Sequence, residues 1–324
     1  MIRLSRRAAL ALPLLATPAI ARAQSWRPSG QVRIIVPAAA GGTTDIMGRL
    51  LAQFLQPRWG TPVVVENRTG AGGTIGTVEM VRARPDGLSL LMGNIGPQAI
   101  GYSLFRNLPY RPEQIAPIAG TIAGPNVLVV NNNVPAQNLQ EFIAWVKANP
   151  GKVNYGSSGF GSSNHLVPEL LNGRLGLTLV HVPFRGGAPA LQALLAGQVQ
   201  VMMENIPTKI GAIRAGQIRA LAVTGRERDP SLPDVPTFAE AGVPGIVAEP
   251  WFGYMAPRGT PDAVVAGLNR ILNEAIADPE VQRKLRDLGA RPEGGPPERF
   301  AAHVRSEIAR WREVVETNKI EKLN

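Results

Sequence analysis

The feature that most constrains this chain runs from Val32 to Asp45. The β-branched, apolar run Val32-Arg33-Ile34-Ile35-Val36 stops at Pro37, passes through Ala38-Ala39-Ala40-Gly41-Gly42, and opens a helical pattern on Thr43-Thr44-Asp45. Continuous apolar runs of this length are the mark of strands buried on both faces of a parallel sheet. A helix starting directly after such a strand leaves backbone N–H groups unpaired, with the positive end of its dipole behind them. The turn is therefore a seat for a carboxylate or phosphate. On its own it is also an ordinary β–α turn.

The pattern repeats. Val63-Val64-Val65 is a second short strand, and Asn67 to Gly76 a glycine-rich turn leading into helical residues around Val78 to Ala83. Leu88 to Met92 is a third strand, with a loop after Gly93-Asn94. Strand, glycine turn and helix in alternation predict right-handed β-α-β units on a parallel sheet. The glycines at 70–76 are spaced G-x-G-x-x-x-G, and no acid ends the following strand, so a dinucleotide site is not supported and no cofactor is expected.

The first residues read as an export signal. Arg3, Arg6 and Arg7 precede an apolar run from Ala8 to Ile20, and Ala21-Arg22-Ala23 supplies an A-x-A cleavage site. Arg6-Arg7 suggests the twin-arginine route. The run is too short for a transmembrane span and contains Pro13 and Pro18. The mature protein, from residue 24, is expected in the periplasm. Losing four arginines leaves 30 bases against 24 acids, a net +6 rather than +10, with no basic run to bind nucleic acid. Cysteine is absent, and the three histidines, His165, His181 and His303, lack metal-binding spacing. Metal chemistry is not expected.

From Ile118 to Val130 a β-rich stretch is interrupted by Gly124-Pro125, where the chain is expected to leave one domain for another. Asn138 and Glu141 form a capping-box pattern ahead of an amphipathic helix. The loop Asn154 to Leu166 then offers a second nest of donors, Ser157, Ser158, Gly159, Gly161, Ser162 and Ser163, before a helix that Ser163 or Asn164 would cap. As a nucleophile elbow it fails, because Phe160 stands where G-x-S-x-G needs glycine. His165 reads as a residue at the start of the helix rather than a base. Leu177 to Val182 is a strand, with Arg185, Gly186 and Gly187 at its carboxyl end, and guanidinium suits carboxylate by geometry. Val199 to Met203 is a strand ending in Glu204-Asn205, and Ile218 to Thr224 is another. Pro244 to Pro257 reads as a return crossing, and Thr260 to Asn324 as three helices in which Trp311 packs.

These blocks, in this order, resemble the Bug, or tripartite tricarboxylate transporter receptor, solute-binding proteins. The resemblance is collinear from Val32 to Trp311. It rests on V-x-x-I-V-P-x-x-x-G-G-x-T-D at Val32, V-V-V-E-N-R-x-G-A-G-G-x-I-G at Val63 and P-D-G-x-x-L-L-M-G at Pro85. P-N-V-L-V-V-N at Pro125, N-Y-G-S-x-G-x-G-S-x-x-H-L at Asn154, and the blocks at His181, Arg219 and Leu232 complete it.

The resemblance implies an α/β, type-II periplasmic-binding-protein fold: two α/β lobes joined by crossing hinge strands, residues 24–123 with 250–324 as one lobe and 124–249 as the other. It implies a small organic carboxylate held between the lobes by Ala38, Ala39, Ala40, Gly41, Gly42, Thr43, Thr44 and Asp45 on one side. On the other side stand Ser157, Ser158, Gly159, Gly161, Ser162, Ser163, His165, Arg185, Gly186, Gly187, Glu204 and Asn205. The partners expected are that ligand and the permease subunits of a tripartite tricarboxylate-type transporter; the receptor is expected to be a monomer and not an enzyme. Three departures from the family pattern stand out. Ala38-Ala39-Ala40 replace bulkier residues and are expected to enlarge the distal pocket, Glu204 replaces a commoner aspartate, and Pro168 is expected to kink its helix. The alternatives are an exported serine hydrolase using Ser158 or Ser162 with His165, and an orphan binding protein acting in sensing.

Overall fold

The structure, a computed structural model, describes residues 26–324. The export signal and cleavage site at 1–23 lie outside the described residues. Two mixed sheets are flanked by helices. The strands are β1 Val32–Val36, β2 Val63–Asn67, β3 Ser89–Asn94, β4 Ile115–Ala123, β5 Asn126–Asn131, β6 Asn154–Ser157, β7 Val180–Pro183, β8 Val201–Asn205, β9 Ile218–Val223, β10 Trp251–Pro257 and β11 Arg291–Pro292. The α-helices are α1 Thr43–Trp59, α2 Thr74–Val81, α3 Gly101–Leu104, α4 Leu139–Ala148, α5 Ser163–Leu175, α6 Gly187–Leu195, α7 Ile210–Arg214, α8 Asp262–Ala277, α9 Pro279–Asp287 and α10 Pro297–Thr317. No helix among the described residues is long and apolar enough to cross a membrane.

The first sheet has six strands in the order β11-β4-β10-β3-β1-β2, and the second five in the order β7-β6-β8-β5-β9. Within the first, β1 pairs in parallel with β2 and β3, as the β-α-β alternation predicts. The sheets are not wholly parallel, however. β10 runs antiparallel to both β3 and β4, and β5 runs antiparallel to β8 and β9. The physical reason is connectivity: after Gly124-Pro125 the chain passes directly from β4 in one sheet to β5 in the other, and the segment after β9 returns to β10. Strands that cross between sheets need no helical crossover and are free to enter in either direction.

Local choices follow from the residues. Val32, Ile34, Ile35 and Val36 are fully buried, each worth about 1.5–3 kcal/mol. Asn138 caps α4 by accepting from Glu141 N at 2.9 Å, while Glu141 reaches back to Gln137 N at 2.7 Å. Trp311 is buried in α10 and donates its indole N–H to Glu307 Oε2 at 3.1 Å. Two expectations are corrected. The cap of α5 is Ser162, not Ser163 or Asn164, and it makes no side-chain capping bond because its hydroxyl donates to Gly159 O at 2.7 Å. The residues after Asn94 form a helical turn from Gly96 rather than an open loop, seeded by Asn94 Oδ1 accepting from Gly96 N at 2.9 Å. Helix α5 continues through Pro168 to Leu175.

Candidate functional site

Six loops follow parallel strands: those after β1, β2 and β3 in the first sheet, and after β6, β7 and β8 in the second. All six open into one cleft of about 930 Å³. The first sheet contributes Pro37 to Ala39, Thr69 to Thr74 and Asn94 to Pro97; the second contributes Ser158 to Asn164, Pro183 to Gly187, and Glu204, Asn205 and Thr208. Ligands of open α/β sheets sit beyond the carboxyl ends of strands for this reason: that is where loop backbone and helix N-termini converge.

Four helices of eight or more residues begin at the cleft: α1 after Gly42, α2 after Gly73, α5 after Ser162 and α6 after Gly186. None of the four has a side-chain cap. Away from the cleft, α4 and α9 are capped by Asn138 and Asp278, whereas α8 and α10 follow prolines and have no side-chain cap. The first N–H groups of α1, α5 and α6 are thus left to other acceptors, and an anion's oxygens satisfy both the orphan donors and the helix dipoles.

Of the residues expected at the site, Ala38, Ala39, Gly42, Thr43, Thr44, Ser158, Gly159, Gly161, Ser162, Ser163, Arg185, Gly186, Gly187, Glu204 and Asn205 line the cleft. Ala40, Gly41, Asp45, Ser157 and His165 do not. Asp45 is buried behind the first loop and accepts from Gly41 N at 2.9 Å, Arg49 Nε at 3.0 Å and Asn67 Nδ2 at 2.9 Å. Burial alone would raise its pKa; these donors together hold it below the ordinary carboxylate value. Asn67 also donates to Ala38 O at 3.0 Å, so the pair braces the loop from the rear.

Ser157 plays the same part in the second half. Its hydroxyl accepts from Gly159 N at 3.1 Å and lies 2.6 Å from His181 Nε2. His165 is buried with its ring stacked on His181, centroids 4.3 Å apart, and Gly161 N lies 3.4 Å from its Nδ1. Burial, then the neighbouring imidazole, push His165 down to about 3; burial pushes His181 down to about 4. Both rings are neutral at pH 7. The hydrolase alternative loses its geometry here, since the serine that meets a histidine is the buried Ser157, not Ser158 or Ser162.

An ion pair lies under the second-sheet wall. Glu204, 2% exposed, and Lys209, 1% exposed, approach to 3.4 Å between Oε2 and Nζ. Glu204 Oε1 accepts from Asn164 Nδ2 and from Asn205 N, the latter at 2.9 Å. Lys209 Nζ reaches Thr208 Oγ1 at 3.2 Å and Gly187 O at 3.5 Å. The pair keeps the cleft wall neutral, so the glutamate does not repel an anion. Arg185 stands exposed on the rim.

Sequence reasoning missed several lining residues. Asn164 and the turn Thr69 to Thr74 were readable in principle, the first from its place beside the serines, the second from following a strand parallel to β1. Lys209, which lies behind the wall and not on it, carries no signal in the chain. Leu323 and Asn324 line the cleft only because the tail docks, with Leu323 N donating to Leu104 O at 2.8 Å and Leu323 O accepting from Arg106 N at 2.9 Å.

Two α/β halves with a cleft at their strand ends and helix N-termini without side-chain caps on both walls form a binding site for a small solute. The comparisons agree. Residues 47–320 match the model of the tripartite tricarboxylate transporter family receptor, and the chain belongs to that family of solute-binding receptors. It is 40% identical over 290 residues to BugT of Bordetella pertussis, covering 89% of each chain. Among solved structures, it is similar to an R. palustris protein with adipate, TM-score 0.88 and 37% identity, covering 91% of this chain and 99% of that one. It is also similar to a Rhodopseudomonas palustris protein with bound malate, TM-score 0.85 and 39% identity, covering 89% and 99%. The fold is that of the type-II periplasmic binding proteins.

Proposed function

We propose that this protein is an exported receptor that captures a small organic carboxylate and delivers it to a tripartite tricarboxylate-type membrane transporter. The observation that carries this reading is the convergence of four side-chain-uncapped helix N-termini, α1 and α2 from one half and α5 and α6 from the other, on one cleft. A carboxylate satisfies such donors without a dedicated cation. The adipate and malate held by relatives support the same class.

Residues 24–123 with 250–324 would act as one lobe and 124–249 as the other, moving about the crossings at Gly124-Pro125 and before Trp251. A ligand touching both lobes stabilises the closed form only by as much as it prefers it. The closed form is then what the permease subunits recognise. The arginine-flanked apolar run before Ala23 supports action in the periplasm, and the receptor acts as a monomer.

A thermal-shift titration tests this reading. Protein stripped of bound solute by unfolding and refolding is titrated with mono-, di- and tricarboxylates, with neutral sugars as controls. Ligand at about 100 times Kd adds about 2.7 kcal/mol of stability, so a saturable rise in Tm with one group of carboxylates is expected. No shift with any carboxylate overturns the ligand class.

A further inference from the structure

Two buried polar side-chain atoms on the cleft wall have no hydrogen-bond partner among the described residues: Thr43 Oγ1 and Glu204 Oε2. A hydroxyl rotates and serves as donor or acceptor, but an ionised carboxylate oxygen only accepts. Glu204 is therefore the more specific signal. Its Oε1 is already occupied by Asn164 Nδ2 and Asn205 N. Lys209 balances its charge at 3.4 Å without a hydrogen bond to Oε2, and the ammonium turns instead to Thr208 and Gly187 O. The charge is compensated and the acceptor is open.

The position of this oxygen ties it to the anion seat. Asn164, which holds Oε1, is the second residue of α5, and Gly187 is the first residue of α6. A Cβ on Gly187 would stand 3.0 Å from Oε2 and 3.8 Å from Lys209 Nζ, so the start of α6 packs directly against this buried oxygen. The open acceptor thus lies between the two helix N-termini that present N–H donors on this wall. We propose that the solute carries a hydrogen-bond donor, a hydroxyl or an ammonium, on a carbon next to the carboxylate seated there, and that Glu204 Oε2 receives it. A carboxylate without such a donor leaves a buried charged oxygen unpaired on binding, and sites built this way reject the analogue that lacks the group.

This inference rests on the carboxylate-receptor reading, and calorimetry separates the two. Ligand-free protein is titrated with three triplets differing only in H, OH or NH₃⁺ at the α-carbon: propionate, lactate and alanine; succinate, malate and aspartate; glutarate, 2-hydroxyglutarate and glutamate. In any triplet that binds, the hydroxyl or ammonium member should bind at least about tenfold more tightly than the parent, and which of the two does so identifies the donor. Glu204→Gln presents an amide N–H₂ in place of the open oxygen and should abolish an ammonium preference and reduce a hydroxyl preference severalfold. If Glu204→Gln does not fold, Glu204→Gln with Lys209→Met removes both charges and serves the same purpose. Parents binding as tightly as their substituted partners would overturn the inference while leaving the carboxylate reading intact. A preference that survives both variants would remove Glu204 from the role. Binding by no member of any triplet would overturn the inference, and the carboxylate reading falls with it if no carboxylate raises Tm in the thermal-shift titration.

Discussion

Gly186, ahead of α6, and Ala39, after β1, meet across the cleft so closely that a Cβ built on Gly186 would stand 2.6 Å from the Cβ of Ala39. The contact joins the two halves through their smallest residues. Gly96 does the same beside β3, where a Cβ would stand 3.0 Å from Gly161 O. Ala39, the second of the three alanines after Pro37, thus meets the opposite loop.

Gly96→Ala is the cleaner probe of this contact, because Gly186 sits at φ +115, where any side chain is strained, and Gly96 does not have positive φ. The variant should fold normally and bind its carboxylate severalfold more weakly, read by calorimetry beside a melting curve. Unchanged affinity would show that the Gly96–Gly161 approach does not matter for binding.

The buried pair under the wall sets a stability test. Lys209→Met leaves Glu204 charged and buried without its counter-ion, and breaking such a pair costs about 3–5 kcal/mol. Adding Glu204→Gln should restore most of that loss, because the uncompensated charge is gone. Urea denaturation of the wild type, the single variant and the double variant measures both steps.

Acid should weaken the fold before most carboxylates titrate. His165 and His181 are held at about 3 and about 4, below the ordinary value of 6.5 that they regain on unfolding. Above pH 6.5 neither state binds these protons, and stability is at its full value. As pH falls below 6.5 the unfolded chain takes them up and the folded chain does not, so stability declines until the folded rings protonate near 4 and 3. Tm should fall steadily between pH 6.5 and 5, and His165→Gln should flatten that slope. An identical slope in the variant would remove His165 as a source.

Arg185→Ala tests the exposed rim guanidinium. A charge-assisted hydrogen bond to a ligand carboxylate is worth about 1.5–3 kcal/mol, so a loss of affinity of roughly ten- to a hundredfold is expected, with Tm of the free protein unchanged. Equal affinity would mean that Arg185 is only a solvated turn residue.

Much of this site was legible in the chain. A β-branched run followed by a turn of small residues and a helical period locates a strand's carboxyl end, and the loops that carry Ala38, Ala39, Gly42 to Thr44, Ser158 to Ser163 and Arg185 to Gly187 were found that way. Reading which atoms face the cleft failed where a polar residue turned inward. Asp45, Ser157 and His165 sit within a few positions of lining residues, yet each is spent on its own loop's backbone or on a neighbouring ring. Spacing along the chain identifies the loop; only the paths of the hydrogen bonds identify the residues that brace it from behind.

The sequence by itself determined the strand–turn–helix units, the positions of the donor-rich loops and the family, because each depends on local backbone preference and on the order of motifs. Tertiary structure alone decided that β4 and β5 belong to different sheets, that β10 enters antiparallel between β3 and β4, and that six loops share one cleft. It alone joined Glu204 to Lys209 beneath that cleft and set His165 against His181. These are contacts between side chains brought together by packing, and their energy comes from burial and from compensation of charge, neither of which is written at any single position of the chain.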